Sequence, residues 1–123
     1  MNLAKLTRLA EQTVAATLRE LPPPVQPVAQ SVPVICQDWP SDEVLGDEFE
    51  PDILGLFVGP PHGAPSDDAQ GLPPQILLFI GNLWDFAGED PEIFRDEVRL
   101  TYLHELGHYL GWDEDELTAR GLD

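Results

Sequence analysis

The sequence predicts an α+β domain in which helices gather against one face of a small sheet. Two apolar runs, Ile53-Leu54-Gly55-Leu56-Phe57-Val58 and Gln75-Ile76-Leu77-Leu78-Phe79-Ile80, have the length and density of buried strands. Asp90-Pro91 and Gly111 bracket a segment punctuated as one long helix. Leu3, Leu6, Leu9, Val14, Leu18 and Leu21 recur at helical spacing and mark an amphipathic helix over residues 1–21. With 123 residues the chain is expected to form a single domain spanning 1–123.

Taken in order, the first helix must stop at Leu21, because Pro22-Pro23-Pro24 cannot continue it. Pro22 to Pro27 reads as a stiff extended connector, and Val32 to Cys36 as a β-type run. Asp38 to Asp52 is an acidic, turn-rich loop. The strand over 53–58 follows, then a Pro- and Gly-rich surface loop from Pro60 to Pro74 without hydrophobic period. The strand over 75–80 leads to a short helical turn at Asn82–Ala87. In the long helix Asp90 takes the N-cap and Pro91 the first helical position, and Ile93, Leu100, Leu103 and Leu110 are the expected apolar anchors. A short helix over about 114–120 ends the order. Trp39, Trp84 and Trp112 are expected in the core rather than on a pocket wall.

The charge balance narrows the partners. Net charge is −17, with 23 acids against six Lys and Arg, and no Lys or Arg falls between Arg19 and Arg95. Such a chain repels phosphate backbones and anionic headgroups, so neither nucleic acid nor membrane is an expected partner. It suits metal ions and basic peptides, although acidity alone also serves solubility. No segment has the apolar block of a secretory signal or the length of a membrane span. The single Cys36 cannot form an internal disulfide. A cytoplasmic monomer is the expectation.

The chemistry concentrates in His104-Glu105-Leu106-Gly107-His108. Histidines four apart on a helix point the same way, one turn apart, so both can approach one metal ion at about 2.0–2.1 Å. Glu105 lies about 100° round the helix from His104, which suits it to a metal-bound water rather than to the metal. Zinc lowers the pKa of such a water to around 7, Glu105 takes the proton, and the hydroxide attacks a polarised carbonyl. Gly107 is small enough to let the helix approach the sheet. Two of the three His of the chain fall in this string, inside a capped helix; paired structural histidines would leave that placement unexplained.

Catalytic zinc requires a third protein ligand. Gly111 lets the chain turn back, and Asp113, Glu114, Asp115 and Glu116 follow. Asp113 reads as the N-cap of the last helix, with Glu116 completing a capping-box-like pair. Glu114 stands ten positions after His104, the spacing found where a chain doubles back after HExxHxxG. Glu114 is favoured, with Asp113 the alternative.

Leu103-His104-Glu105-Leu106-Gly107-His108-Tyr109-Leu110-Gly111 and the acidic run to Leu117 resemble the minimal zincins, short bacterial proteins regarded as zinc metallopeptidases. The segments Leu54–Gly59 and Ile76–Leu83 extend the resemblance over roughly residues 45–120. It implies a zincin-like α+β fold, with a small mixed sheet packed against an N-terminal helix and a long HExxH helix. It also implies Zn2+ on His104 and His108, Glu105 as catalytic residue, and an acidic ligand at position 114. The family typically has Asp there, and this chain has Glu114, whose extra methylene changes its reach.

The function so implied is hydrolysis of a peptide or protein substrate, with basic peptides favoured by charge. By analogy with zincins, the strand over 75–80 would be the edge that binds substrate backbone, unless it is a buried core strand. Orienting partners for the imidazoles are sought among Asp85, Asp96 and Glu97. An oxyanion donor is harder to find, because Tyr102 reads as packing, Tyr109 as facing away and His62 as loop surface. That gap supports a second function class, a zinc-binding protein with little catalysis that acts through a partner. A third is an acidic interaction module, which leaves the His pair without a role.

Overall fold

The computed structural model describes residues 2–60, 73–112 and 114–119, apart from the side chains of residues 114 and 117. The first helix, α1 (Leu3–Glu20), starts where the Asn2 side chain accepts from the Lys5 N–H. It buries Leu6, Ala10, Val14 and Thr17, one stripe at helical spacing. The connector departs from the expected extended form. Val25 N–H donates to the Pro22 carbonyl, closing a turn, and α2 (Gln26–Gln30) follows with a proline in its first turn. Pro27 needs no N–H donor there, so the residue that suggested an extended strap instead opens a helix.

Strand β1 (Val34–Gln37) comes next, and α3 (Asp42–Leu45) adds a turn of helix within the acidic loop, capped by the Ser41 side chain on the Val44 N–H. Strands β2 (Gly55–Val58) and β3 (Gln75–Phe79) complete a mixed sheet of order β1-β3-β2. β1 runs parallel to β3 and β2 antiparallel to it, with Leu56 opposite Leu77 and Phe57 opposite Ile76. Of the two readings of residues 75–80, edge strand and buried core strand, the second holds. β3 is central, which explains why Ile76, Leu77, Leu78 and Phe79 are all buried, whereas β2 is an edge strand and half-buried throughout.

β3 passes without a loop into α4 (Ile80–Phe86), and α5 (Pro91–Leu110) then crosses the molecule. Asp90 Oδ1 accepts from the N–H groups of Glu92 and Ile93 at 2.9 and 3.2 Å, as its N-cap reading predicts. Gly111 ends α5 in the left-handed region, with φ 76°. The buried face of α5 is Phe94, Val98, Tyr102, Leu103, Leu106 and Tyr109. Two expected anchors lie elsewhere: Ile93 is 47 % exposed and Leu100 42 % exposed. Phe94 and Tyr102, one and two positions further along, lie on the buried stripe instead. Trp84 and Trp112 pack on the core, whereas Trp39 is 51 % exposed, its ring lying against Gly81. A final helix, α6 (Glu114–Ala119), packs against α5. No helix among the described residues is long and apolar enough to cross a membrane.

Candidate metal centre

The site forms where the last two turns of α5 meet the free edge of β2. Phe79 N–H donates to the Leu54 carbonyl at 3.0 Å, which sets the phase of the antiparallel ladder. From that pairing, Leu56 and Val58 bond to β3, while Gly55 and Phe57 direct N–H and C=O away from it. Glu105 Oε1 accepts the outward Phe57 N–H at 2.9 Å. The ring of Phe57 meets that of Tyr109 edge-on, at 5.5 Å between centroids. Strand and helix are thereby tied by one polar and one aromatic contact, four residues apart along α5.

Two features hold β2 in that position. Gly55 faces Thr101 so closely that a Cβ there would lie 2.6 Å from Thr101 Cγ2 and 3.0 Å from the Leu77 carbonyl oxygen. Glycine is required for the approach and not for its backbone angle. Asn82 of α4 donates from Nδ2 to the carbonyls of Pro51 and Ile53, each at 2.8 Å, fixing the chain just ahead of the strand. None of Gly55, Phe57 or Asn82 stood out in the sequence as site-forming. Gly55 inside an apolar run was the one available signal, since an interior strand glycine often marks close backbone approach.

His104, Glu105 and His108 converge as the helical spacing predicts. Their ligand atoms lie within 4.8 Å of one another, and the two imidazole rings are 4.5 Å apart between centroids. His108 Nδ1 is 3.3 Å from Glu105 Oε1. His104 is half-buried and His108 exposed, whereas Glu105 is only 8 % exposed. The two imidazoles are nitrogen donors that suit zinc, and the graded exposure leaves one side open to a further ligand. A carboxylate this buried is costly unless hydrogen-bonded, and the Phe57 amide meets that need.

The third-ligand candidates are placed only in part. α6 begins at Glu114, three residues after the helix stop at Gly111, but Asp113 and the Glu114 side chain lie outside the described residues. His62 also lies outside them. Asp85 and Asp96 are exposed and Glu97 is half-buried. Tyr102 is in the core, as its packing reading requires, and Tyr109 is turned onto Phe57.

A family model described as zincin-like metallopeptidase matches residues 29–122, from α2 through α6. No curated relative matches the chain.

Proposed function

Because the chain belongs to the zincin-like metallopeptidase family, we propose that it is a zinc-dependent peptidase in which His104, His108 and Glu114 hold the metal and Glu105 is the general base. The observation that supports this most directly is the convergence of His104, Glu105 and His108 within 4.8 Å, beside an edge strand with outward backbone groups. A zinc ion bound there would polarise a carbonyl and acidify a water. Glu105, its carboxylate oriented by the Phe57 amide, would take up the proton of such a water. The outward N–H and C=O of Gly55 and the outward C=O of Phe57, whose N–H is taken by Glu105, are the natural partners for an extended peptide. Basic peptides fit best, because Asp42, Glu43, Asp47, Glu48, Glu50 and Asp52 are all exposed just ahead of that edge. The same charge argues against nucleic acid and anionic membranes as partners.

The test joins metal content to turnover. Purified protein should carry one zinc per chain, lost in His104→Ala and strongly weakened in Glu114→Ala. Unstructured basic peptides should be cleaved, with cleavage abolished by chelator and in Glu105→Gln while zinc is retained. Zinc at one equivalent with no cleavage of any peptide would overturn the peptidase reading and leave a zinc-binding protein acting through a partner. Absence of stoichiometric zinc would overturn the metal centre itself.

A further inference from the structure

Ile93 and Leu100 leave two large apolar side chains on the surface of α5, 47 % and 42 % exposed. Their place on the helix relates them to the metal centre. Measured round the helix from Thr101, His108 stands about 20° and His104 about 60° to one side. Glu97 at about 40°, Ile93 at about 80° and Leu100 at about 100° lie on that same side. The buried Phe94, Val98 and Tyr102 fall on the other. One strip of α5 therefore carries both imidazoles, then Leu100, Glu97 and Ile93. Glu97 is half-buried and has no Lys or Arg partner among the described residues.

The strip lies beside the free edge of β2, and the two run in step. Glu105 meets Phe57, and Thr101 meets Gly55. Two strand residues cover about 6.6 Å and four helix residues about 6.0 Å, so the step is preserved along the edge. β2 ends at Val58, one residue beyond Phe57, and its edge leads away from the metal centre only towards Gly55. A peptide paired along that edge holds one residue opposite Phe57, at the metal, and another, two places on, opposite Gly55. Paired residues of neighbouring strands share a face, and Gly55 faces α5. The side chain two places from the metal is thereby directed onto the level of Thr101 and Leu100. Two places further, the peptide passes Glu97, one helical turn beyond Thr101.

We propose that Leu100 and Glu97 determine which peptide lies along β2. An aliphatic side chain two places from the residue at the metal packs on Leu100, with Ile93 extending the apolar surface. A lysine or arginine four places from that residue pairs with Glu97. The proposal rests on the zinc-peptidase reading above and narrows its substrate from basic peptides in general to one spacing of an aliphatic and a basic residue. It also gives a role to two apolar residues that the fold leaves in water, one of them a single turn from a metal-binding histidine.

The test reads binding and does not depend on turnover. A hydroxamate chelates zinc and so fixes the register of a peptide attached to it. The probe is a short alanine peptide with leucine two places and lysine four places from a terminal hydroxamate, made in both chain directions. It is titrated by calorimetry into the zinc-loaded full chain. In one direction, serine in place of the leucine should weaken binding roughly five- to tenfold, and this preference should vanish in Leu100→Ala. Glutamate in place of the lysine should weaken binding about threefold or more. Glu97→Gln should level that difference, and Glu97→Lys should reverse it. Equal affinity for the leucine and serine probes in both directions would overturn the proposal. So would a leucine preference that survives in Leu100→Ala, or a lysine preference that survives in Glu97→Lys. The expected discrimination without cleavage of any peptide would overturn the peptidase reading alone, leaving these residues as the recognition determinants of a zinc-binding protein. A chain that takes up no zinc would overturn both.

Discussion

Replacing Gly55 by Ala tests whether the approach of β2 to α5 builds the metal centre. The added Cβ would stand 2.6 Å from Thr101 Cγ2, 3.0 Å from the Leu77 oxygen and 3.4 Å from Leu78 Cδ2. Carbon contacts relax at about 3.5–4.0 Å, so strand and helix must separate by about 1 Å. A helical Thr has only two favoured χ1 rotamers, so Thr101 can relieve no more than part of the clash, and the Leu77 oxygen belongs to the ladder. A separation of that size would stretch the Phe57–Glu105 bond from 2.9 Å to about 3.9 Å, beyond hydrogen-bonding range. Overpacking of this kind costs about 1–3 kcal/mol, offset by the ~0.4–1 kcal/mol that Ala gains over Gly by restricting the unfolded chain. A net loss of about 1–2 kcal/mol is expected, or a Tm lower by roughly 4–10 °C. The assay is urea and thermal unfolding of Gly55→Ala, Thr101→Ala and the double variant. Removing Thr101 Cγ2 should restore part of the stability, giving a coupling of about 1 kcal/mol. A Gly55→Ala protein as stable as the parent, or no recovery in the double variant, would refute the close-approach argument.

Asp90→Ala removes an acceptor used by two N–H groups at the start of α5 and should cost about 1 kcal/mol in urea unfolding, with the secondary structure unchanged. Alkaline pH should destabilise the fold in a definite window. Burial raises the Cys36 thiol from 9.0 to about 11, with Glu11 adding to the shift, and burial raises Tyr102 from 10.0 to about 12. The unfolded chain therefore loses these protons first, binds fewer than the folded chain, and stability falls as pH rises above 9 towards 12. Urea midpoints at pH 8 and 10.5 check the sign, and Cys36→Ser should flatten the early part of the fall.

The features legible in the sequence are those fixed by neighbours in the chain. Asp90-Pro91 and Gly111 locate α5 because caps act within one turn, and the His104–His108 spacing forces convergence on any straight helix. Strand order is not local. The runs at 53–58 and 75–80 look alike in apolar density, and only the pairing of β3 on both sides makes one central and the other an edge. The Glu105–Phe57 contact joins residues 48 apart, so no periodicity foreshadows it. α2 was hidden by its own prolines, which terminate one helix and open another with the same restricted φ. Ile93 and Leu100 follow the helical period yet face outward, since Phe94, Val98 and Tyr102 define a competing stripe on the same helix.

The bond between Glu105 and the Phe57 amide also bears on self-association. An edge strand with unsatisfied outward donors is a template for another copy of the chain, and a charged group turned onto that edge is one way of blocking it. β2 is only four residues long, and Glu105 occupies the outward donor at Phe57. The proposed catalytic carboxylate is thus a guard on the sheet as well. Truncating it to Ala would remove a proton acceptor and uncover a pairing site together, confounding lost turnover with aggregation. Gln retains an amide oxygen that can accept from Phe57, so Glu105→Gln separates the chemistry of this side chain from its protection of the edge.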